Sequence, residues 1–190
     1  MRRAIAAALL VLGPSVVSAE EVLRFFPPAG VEGVHASATP GLRLVEYVTE
    51  GQNLAFWSQA ITVAEMPGSK VSAMEFVDIL SADMTLACPA AFRMDPEVTM
   101  MEDRSVTMSI HACQNLEPTG RSEVAILRVL EGKEGLYAVQ IAWSESPPRD
   151  DLLNWSAWLR DVTLCDETGC AEITEVTAPD ISPDGAAPTE

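Results

Sequence analysis

Between Leu44 and Leu86 the spacing of apolar residues changes period once, and the rest of the chain reads as what covers this unit. Leu44 to Val48 and Ala60 to Met66 are short, apolar and β-branched, with Gly51, Gln52 and Asn53 supplying turn chemistry, so they predict a pair of strands. After Pro67 and Gly68, Met74, Val77, Leu80 and Met84 recur at helical spacing, with Glu75, Asp78 and Asp83 interleaved. Ser72 followed three residues later by Glu75 has the form of a capping box, which predicts a helix that starts at Ser72 and is ended by Cys88 and Pro89. Its apolar stripe needs a partner, and a sheet built from the neighbouring strands is the nearest surface.

Further along, Pro89 to Asp103 reads as a polar, Met-rich connection. Ser105 to Cys113 then alternates, with Val106, Met108, Ile110 and Ala112 on one face and Thr107, Ser109, His111 and Cys113 on the other, which predicts a strand. Ser122 to Leu130 and Leu136 to Trp143 predict a hairpin, with Gly132 and Gly135 permitting positive φ angles in its turn. Val124 to Leu130 is apolar on both faces except at Arg128, as a central strand covered on both sides would be. A second helix follows Ser146, a capping candidate, with Pro147 and Pro148 suited to its first turn; Leu152, Trp155, Leu159 and Val162 form its stripe, with Trp158 alongside.

This order predicts an α+β fold with an antiparallel sheet of about five or more strands covered by helices. Residues 20–40 read as an apolar covering segment, Val22 to Phe26, and then a linker containing Pro27, Pro28, Gly30, Gly33 and Pro40. Residues 41–165 form the single predicted domain, and residues 166–190, rich in Pro, Asp, Glu and small side chains, read as a disordered acidic tail.

Composition adds location. A chain of 190 residues with 48% hydrophobic content can bury a sizeable core. Arg2 and Arg3, the apolar run Ala4 to Leu12, and Val17, Ser18 and Ala19 have the form of a signal peptide over residues 1–19, which predicts a periplasmic or secreted protein with no stable membrane anchor after cleavage. Cleavage would remove two arginines and no acid, taking 12 basic residues to 10 against 28 acidic ones and the formal charge from −16 to −18. A field of that sign opposes nucleic acid and anionic membrane surfaces as partners and favours solubility.

The chemistry is sparse. The sequence has no G-x-G-x-x-G, no phosphate-binding loop, no H-E-x-x-H and no nucleophile elbow, and no cofactor is expected. His35, flanked by small residues, reads as a solvated loop histidine, and His111 as a structural strand residue. Met94, Met100, Met101 and Met108 raise the thioether chemistry of Cu(I), but no tight methionine cluster with a nearby histidine occurs, and methionine is a common core filler. Cys88, Cys113, Cys165 and Cys170 include no C-x-x-C pair, and in an oxidising compartment an even count points to disulfides. Three pairings are possible; element order and loop length favour Cys88 with Cys113 and Cys165 with Cys170. Two readings of function follow. One is an exported, non-catalytic binding or assembly module with an unknown protein partner. The other is a small periplasmic hydrolase assembled around His111, Ser109 and the Met-rich connection.

The run EYVTEGQNLAFWSQAITVAEM, Glu46 to Met66, is similar to a pattern in small exported bacterial proteins whose fold resembles that of the PsbP and Mog1 families. The resemblance implies an α/β/α sandwich over Gly41 to Val162 and use of the fold as a binding platform, since PsbP proteins assist photosystem II and Mog1 proteins bind the GTPase Ran. No functional residue of either family matches a position in this chain, and an exported location does not fit the Ran role.

Overall fold

A computed structural model describes residues 21–116, 120–171 and 173–174 of the chain. In chain order its elements begin with β1 (Val22–Arg24), β2 (Val31–Thr39), β3 (Leu42–Thr49), β4 (Gln59–Pro67), α1 (Ala73–Ala87), β5 (Phe92–Arg93) and β6 (Glu97–Met101). They continue with β7 (Arg104–Leu116), β8 (Arg121–Glu131), β9 (Gly135–Trp143), α2 (Arg149–Arg160), β10 (Thr163–Asp166), β11 (Gly169–Cys170) and β12 (Ile173–Thr174). The main sheet runs β12-β6-β7-β8-β9-β4-β3-β2 with every neighbour antiparallel, and β5 extends the β6 side of β7 by pairing with His111 and Ala112. A separate small sheet is ordered β1-β10-β11.

Register fixes two faces. Val63 lies opposite Val139 and Ile126 opposite Ile141, so these side chains share one face, while Leu127, Val129 and Ala138 take the other. On the second face α1 packs Ala73, Phe76, Val77 and Leu80 against Leu127, Val129, Leu136 and Ala138. On the first, Leu152, Trp155, Trp158 and Leu159 of α2, with Val162 and with Leu164 of β10, join Ile61, Ile126, Leu130, Val139 and Ile141. The chain is therefore α+β, a mostly antiparallel sheet with one helix on each side, and β8 is the doubly covered strand its apolar run predicts. Burial dominates this arrangement: a fully enclosed side chain such as Ile141 or Val77 contributes roughly 1.5–3 kcal/mol, against about 1 for a helix cap.

Both helix starts differ in detail from the sequence reading. Ser72 caps α1, its Oγ accepting the Glu75 N–H at 3.2 Å, but the other half of the cap comes from across the fold, where Glu131 Oε1 accepts the Ala73 N–H at 2.7 Å. A carboxylate there also meets the positive end of the helix dipole. In α2, Pro148 is the residue before the first turn and no side chain caps it, so Ser146 has no capping role and the prolines stand outside the helix. Ser146 and Pro147 are each followed by a proline and so pushed to extended conformation, which keeps the helix from starting before Pro148.

Three stretches read as irregular carry strands. Val31 to Thr39, assigned above to a linker, is the nine-residue edge strand β2, bulged between Gly33 and His35. Its small residues Gly33, Ala36, Ser37 and Ala38 give little strand propensity; pairing with β3 decides. Pro89 to Asp103 contains β5 and β6, and β6 puts Met101 in the core beside Met108 of β7; Met101 is fully buried and Thr163 reaches its sulfur at 3.7 Å. The beginning of the assigned tail forms β11 and β12. Residues 1–19, read above as a signal peptide, and the rest of the assigned tail, residues 172 and 175–190, lie outside the described residues.

Candidate functional site

The cysteines pin the edges of this architecture. Cys88, at the C-terminal end of α1, is bonded to Cys113 of β7, and Cys165 of β10 to Cys170 of β11. The second bond closes a turn whose Asp166 Oδ1 accepts both the backbone N–H of Thr168 at 2.8 Å and its hydroxyl at 2.6 Å, while Lys133 approaches at 3.2 Å. The Thr168 bonds first and Lys133 second hold the Asp166 carboxyl down at about 2.

His111 lies beneath α1. It shares the α1-facing side of β7 with Thr107 and Ser109, and all three are buried: His111 Nε2, Ser109 Oγ and Thr107 Oγ1 have no hydrogen-bond partner. Burial lowers the imidazole pKa, and the charge of Arg93 on the paired strand lowers it further. The structure thus brings His111 and Ser109 onto one strand face without a hydrogen bond between them. Of the methionines of the Met-rich connection, Met101 faces the α2 side, where it packs in the same core cluster as Met108 of β7. Among the described residues no three His, Cys, Asp or Glu side chains cluster as metal ligands would.

A wide cleft lies elsewhere, at the end of the sheet where the β3–β4 connection meets the start of β8 and the approach to α2. It encloses about 760 Å3 and is walled by Phe56, Trp57, Trp143, Arg121, Glu145 and Pro148. A side recess of about 320 Å3 shares Trp57, Arg121, Ser122 and Ser144 with it and adds Leu54 and Glu123. The connection is a built loop. Asn53 Oδ1 accepts the N–H groups of Ala55 and Phe56, Asn53 and Phe56 exchange backbone bonds, and Gln52 clamps Ser58 through its N–H at 2.7 Å and its hydroxyl. Side-chain mimicry of a backbone turn by asparagine explains the local shape.

That shape holds Phe56 outward, 71% exposed, under the Arg121 guanidinium at 5.5 Å, and Arg121 also donates to the Ala55 carbonyl at 3.1 Å. An arginine stacked on an exposed phenylalanine beside two tryptophans is the composition of a binding hot spot. Burial raises the Glu123 carboxyl pKa in the recess. The cleft lining contains no histidine or cysteine, and its Ser58 and Ser122 hydroxyls bond to Gln52 and to the Gln114 carbonyl. Stacking, hydrogen bonding and one cationic contact are what this lining offers a ligand. The sequence places Asn53 in a turn but does not single out Phe56 and Trp57 after it, because nothing local shows that Arg121 and Trp143 meet them.

Among the described residues no helix is long and apolar enough to cross a membrane. A scan against protein-family models matches no family, and a search of curated proteins matches none.

Proposed function

We propose that the chain is an exported, non-catalytic binding or assembly module that recognises its partner at the Phe56–Trp57 cleft. The observation that carries this reading is Phe56, fixed in solvent by Arg121 above it and by the Asn53 turn behind it. A large aromatic side chain held exposed costs the free protein hydrophobic stabilisation that a partner would restore. Two disulfides fit an oxidising compartment, and the signal-like residues 1–19 supply the route to it. The layered α+β architecture is compatible with the PsbP/Mog1 resemblance over Glu46 to Met66, and a binding platform is what that resemblance implies.

The test is affinity capture from periplasmic extract, comparing the wild-type protein with Phe56→Ala and with Trp57→Ala, each first shown to melt as a folded protein. A component retained by the wild type and lost from both variants supports the reading. Identical retention by all three proteins would overturn it.

A further inference from the structure

On the α2-facing side of β8, between the core residues Ile126 and Leu130, stands Arg128, a guanidinium with only 2% of the residue exposed. Its Nε and Nη2 are both buried and neither has a hydrogen-bond partner. These two nitrogens form one edge of the guanidinium fork, the edge that a planar carboxylate meets with two parallel bonds. The residue lines a cleft of about 360 Å3 bounded by Glu97, Thr99, Arg160, Thr163 and Ala171.

The neighbours do not neutralise it. Glu97 is committed to Arg160, accepting at 2.6 Å and 3.4 Å, and the Thr163 hydroxyl donates to the Ala171 carbonyl at 2.9 Å. Asp161, also in the lining, makes no hydrogen bond to Arg128. Burial first, then Arg160, press the Arg128 pKa down to about 10, with Glu97 and Asp161 opposing, so the group keeps its charge at neutral pH. A buried charge whose guanidinium fork makes no hydrogen bond disfavours the fold relative to an apolar side chain of the same size, and its presence in the centre of a doubly covered sheet points to a ligand that completes it.

We propose that this cleft is a second binding site, separate from the Phe56–Trp57 cleft, and that it takes a carboxylate on the Nε/Nη2 edge of Arg128. A monoanion is favoured over phosphate because Glu97 and Asp161 stand in the same lining and repel a second negative charge. The carboxylate has two sources. It belongs to a free acid or peptide end, or it is one of this chain's own acids past Ala171, which are Glu172, Glu175, Asp180, Asp184 and Glu190. The rim position of Ala171 and the pairing of Thr174 with Met100 start that segment beside the cleft.

The experiment follows the Arg128 Nε–H resonance of the 15N-labelled exported protein while sodium acetate is added, with sodium chloride and sodium phosphate as controls. A second protein carries Glu172→Gln, Glu175→Gln, Asp180→Asn, Asp184→Asn and Glu190→Gln. A saturable acetate shift in both proteins supports the site with an external carboxylate as its ligand. A shift in the neutralised protein alone supports it with the chain's own acids as occupants. Arg128→Lys, which keeps the charge and loses the fork, should weaken acetate binding on the order of ten-fold, read at the backbone amides of Thr99 and Ala171. Absence of a saturable shift from both proteins, or a response to chloride equal to that to acetate, would overturn the proposal.

Discussion

The carboxylate of Glu21 lies 2.7 Å from the guanidinium of Arg104, with only 5% and 13% of the two side chains exposed. The same residue accepts the Tyr137 hydroxyl through its backbone carbonyl at 3.2 Å, so the start of the described chain is fastened to β7 and β9 at once. Burial opposes the charge of Arg104, and its bonds to Glu21 and Glu102 more than offset this, leaving its pKa raised. Glu21→Gln keeps the shape and removes the charge. We expect a loss of about 2 kcal/mol, below the 3–5 of a fully buried broken pair because Glu102 still reaches Arg104 at 3.0 Å. Urea denaturation measures it; a change under about 0.5 kcal/mol would mean the contact is only a surface ion pair.

The two disulfides close loops of unequal size, with sequence separations of 25 and 5. Chain-entropy arithmetic assigns roughly 3.5 kcal/mol to the larger and about 2 to the smaller. Replacing Cys88 and Cys113 together by Ala should therefore lower the denaturation midpoint more than replacing Cys165 and Cys170. The buried setting of Cys88 and Cys113 sharpens the difference, since both side chains also fill core volume. The opposite ranking would show that the small loop has a stabilising role beyond chain entropy.

How much of this was legible depended on whether an element announces itself locally. The strand pair β3 and β4, the hairpin β8 and β9 and the stripe of α2 rest on period and turn chemistry within about a dozen residues. Strand β2 does not. Its Gly33, Ala36 and Ser37 carry no apolar alternation, and only the facing edge of β3 makes them a strand. The α1 stripe was legible but turned by about one position, because Ala73 and Phe76 rather than Met74 and Met84 pack on the sheet. The cleft was illegible for a related reason: Phe56, Arg121 and Trp143 come from three separate parts of the chain, and no local spacing brings them together.

Gly132 and Gly135 were expected to serve the hairpin through positive φ, yet neither adopts it. Their absent side chains matter instead. A Cβ at Gly132 would overlap the Glu21 carboxylate and the Tyr137 ring, and one at Gly135 would overlap the Met66 carbonyl. Because Met66 is paired backbone and cannot swing aside, Gly135→Ala should cost about 1–3 kcal/mol, the range for overpacking a filled site. Gly30→Ala meets open space and should show only the strain of its φ of 85°. Thermal melts of the two variants provide the comparison, and a harmless Gly135→Ala would mean that β4 and β9 can separate locally.

His111 gives the protein a pH dependence whose sign follows from its surroundings. The imidazole is buried under α1 and faces Arg93, itself held by Asp78 at 2.6 Å, and burial first and Arg93 second keep its pKa below the ordinary 6.5. The unfolded chain therefore takes up a proton in a range where the folded protein refuses it. The contribution of neutral His111 to stability is complete above about pH 6.5 and is lost as the pH falls below it. Between pH 7.5 and 5.5 the wild type should lose up to about 1.4 kcal/mol more than His111→Gln, the limit set by one pH unit below the unfolded value. Comparing the two proteins cancels the carboxylates, including Glu123, whose raised pKa changes stability in the opposite sense as pH rises. Urea midpoints at three pH values suffice, and parallel curves for the two proteins would show that His111 takes up its proton in the folded state as readily as in the unfolded one.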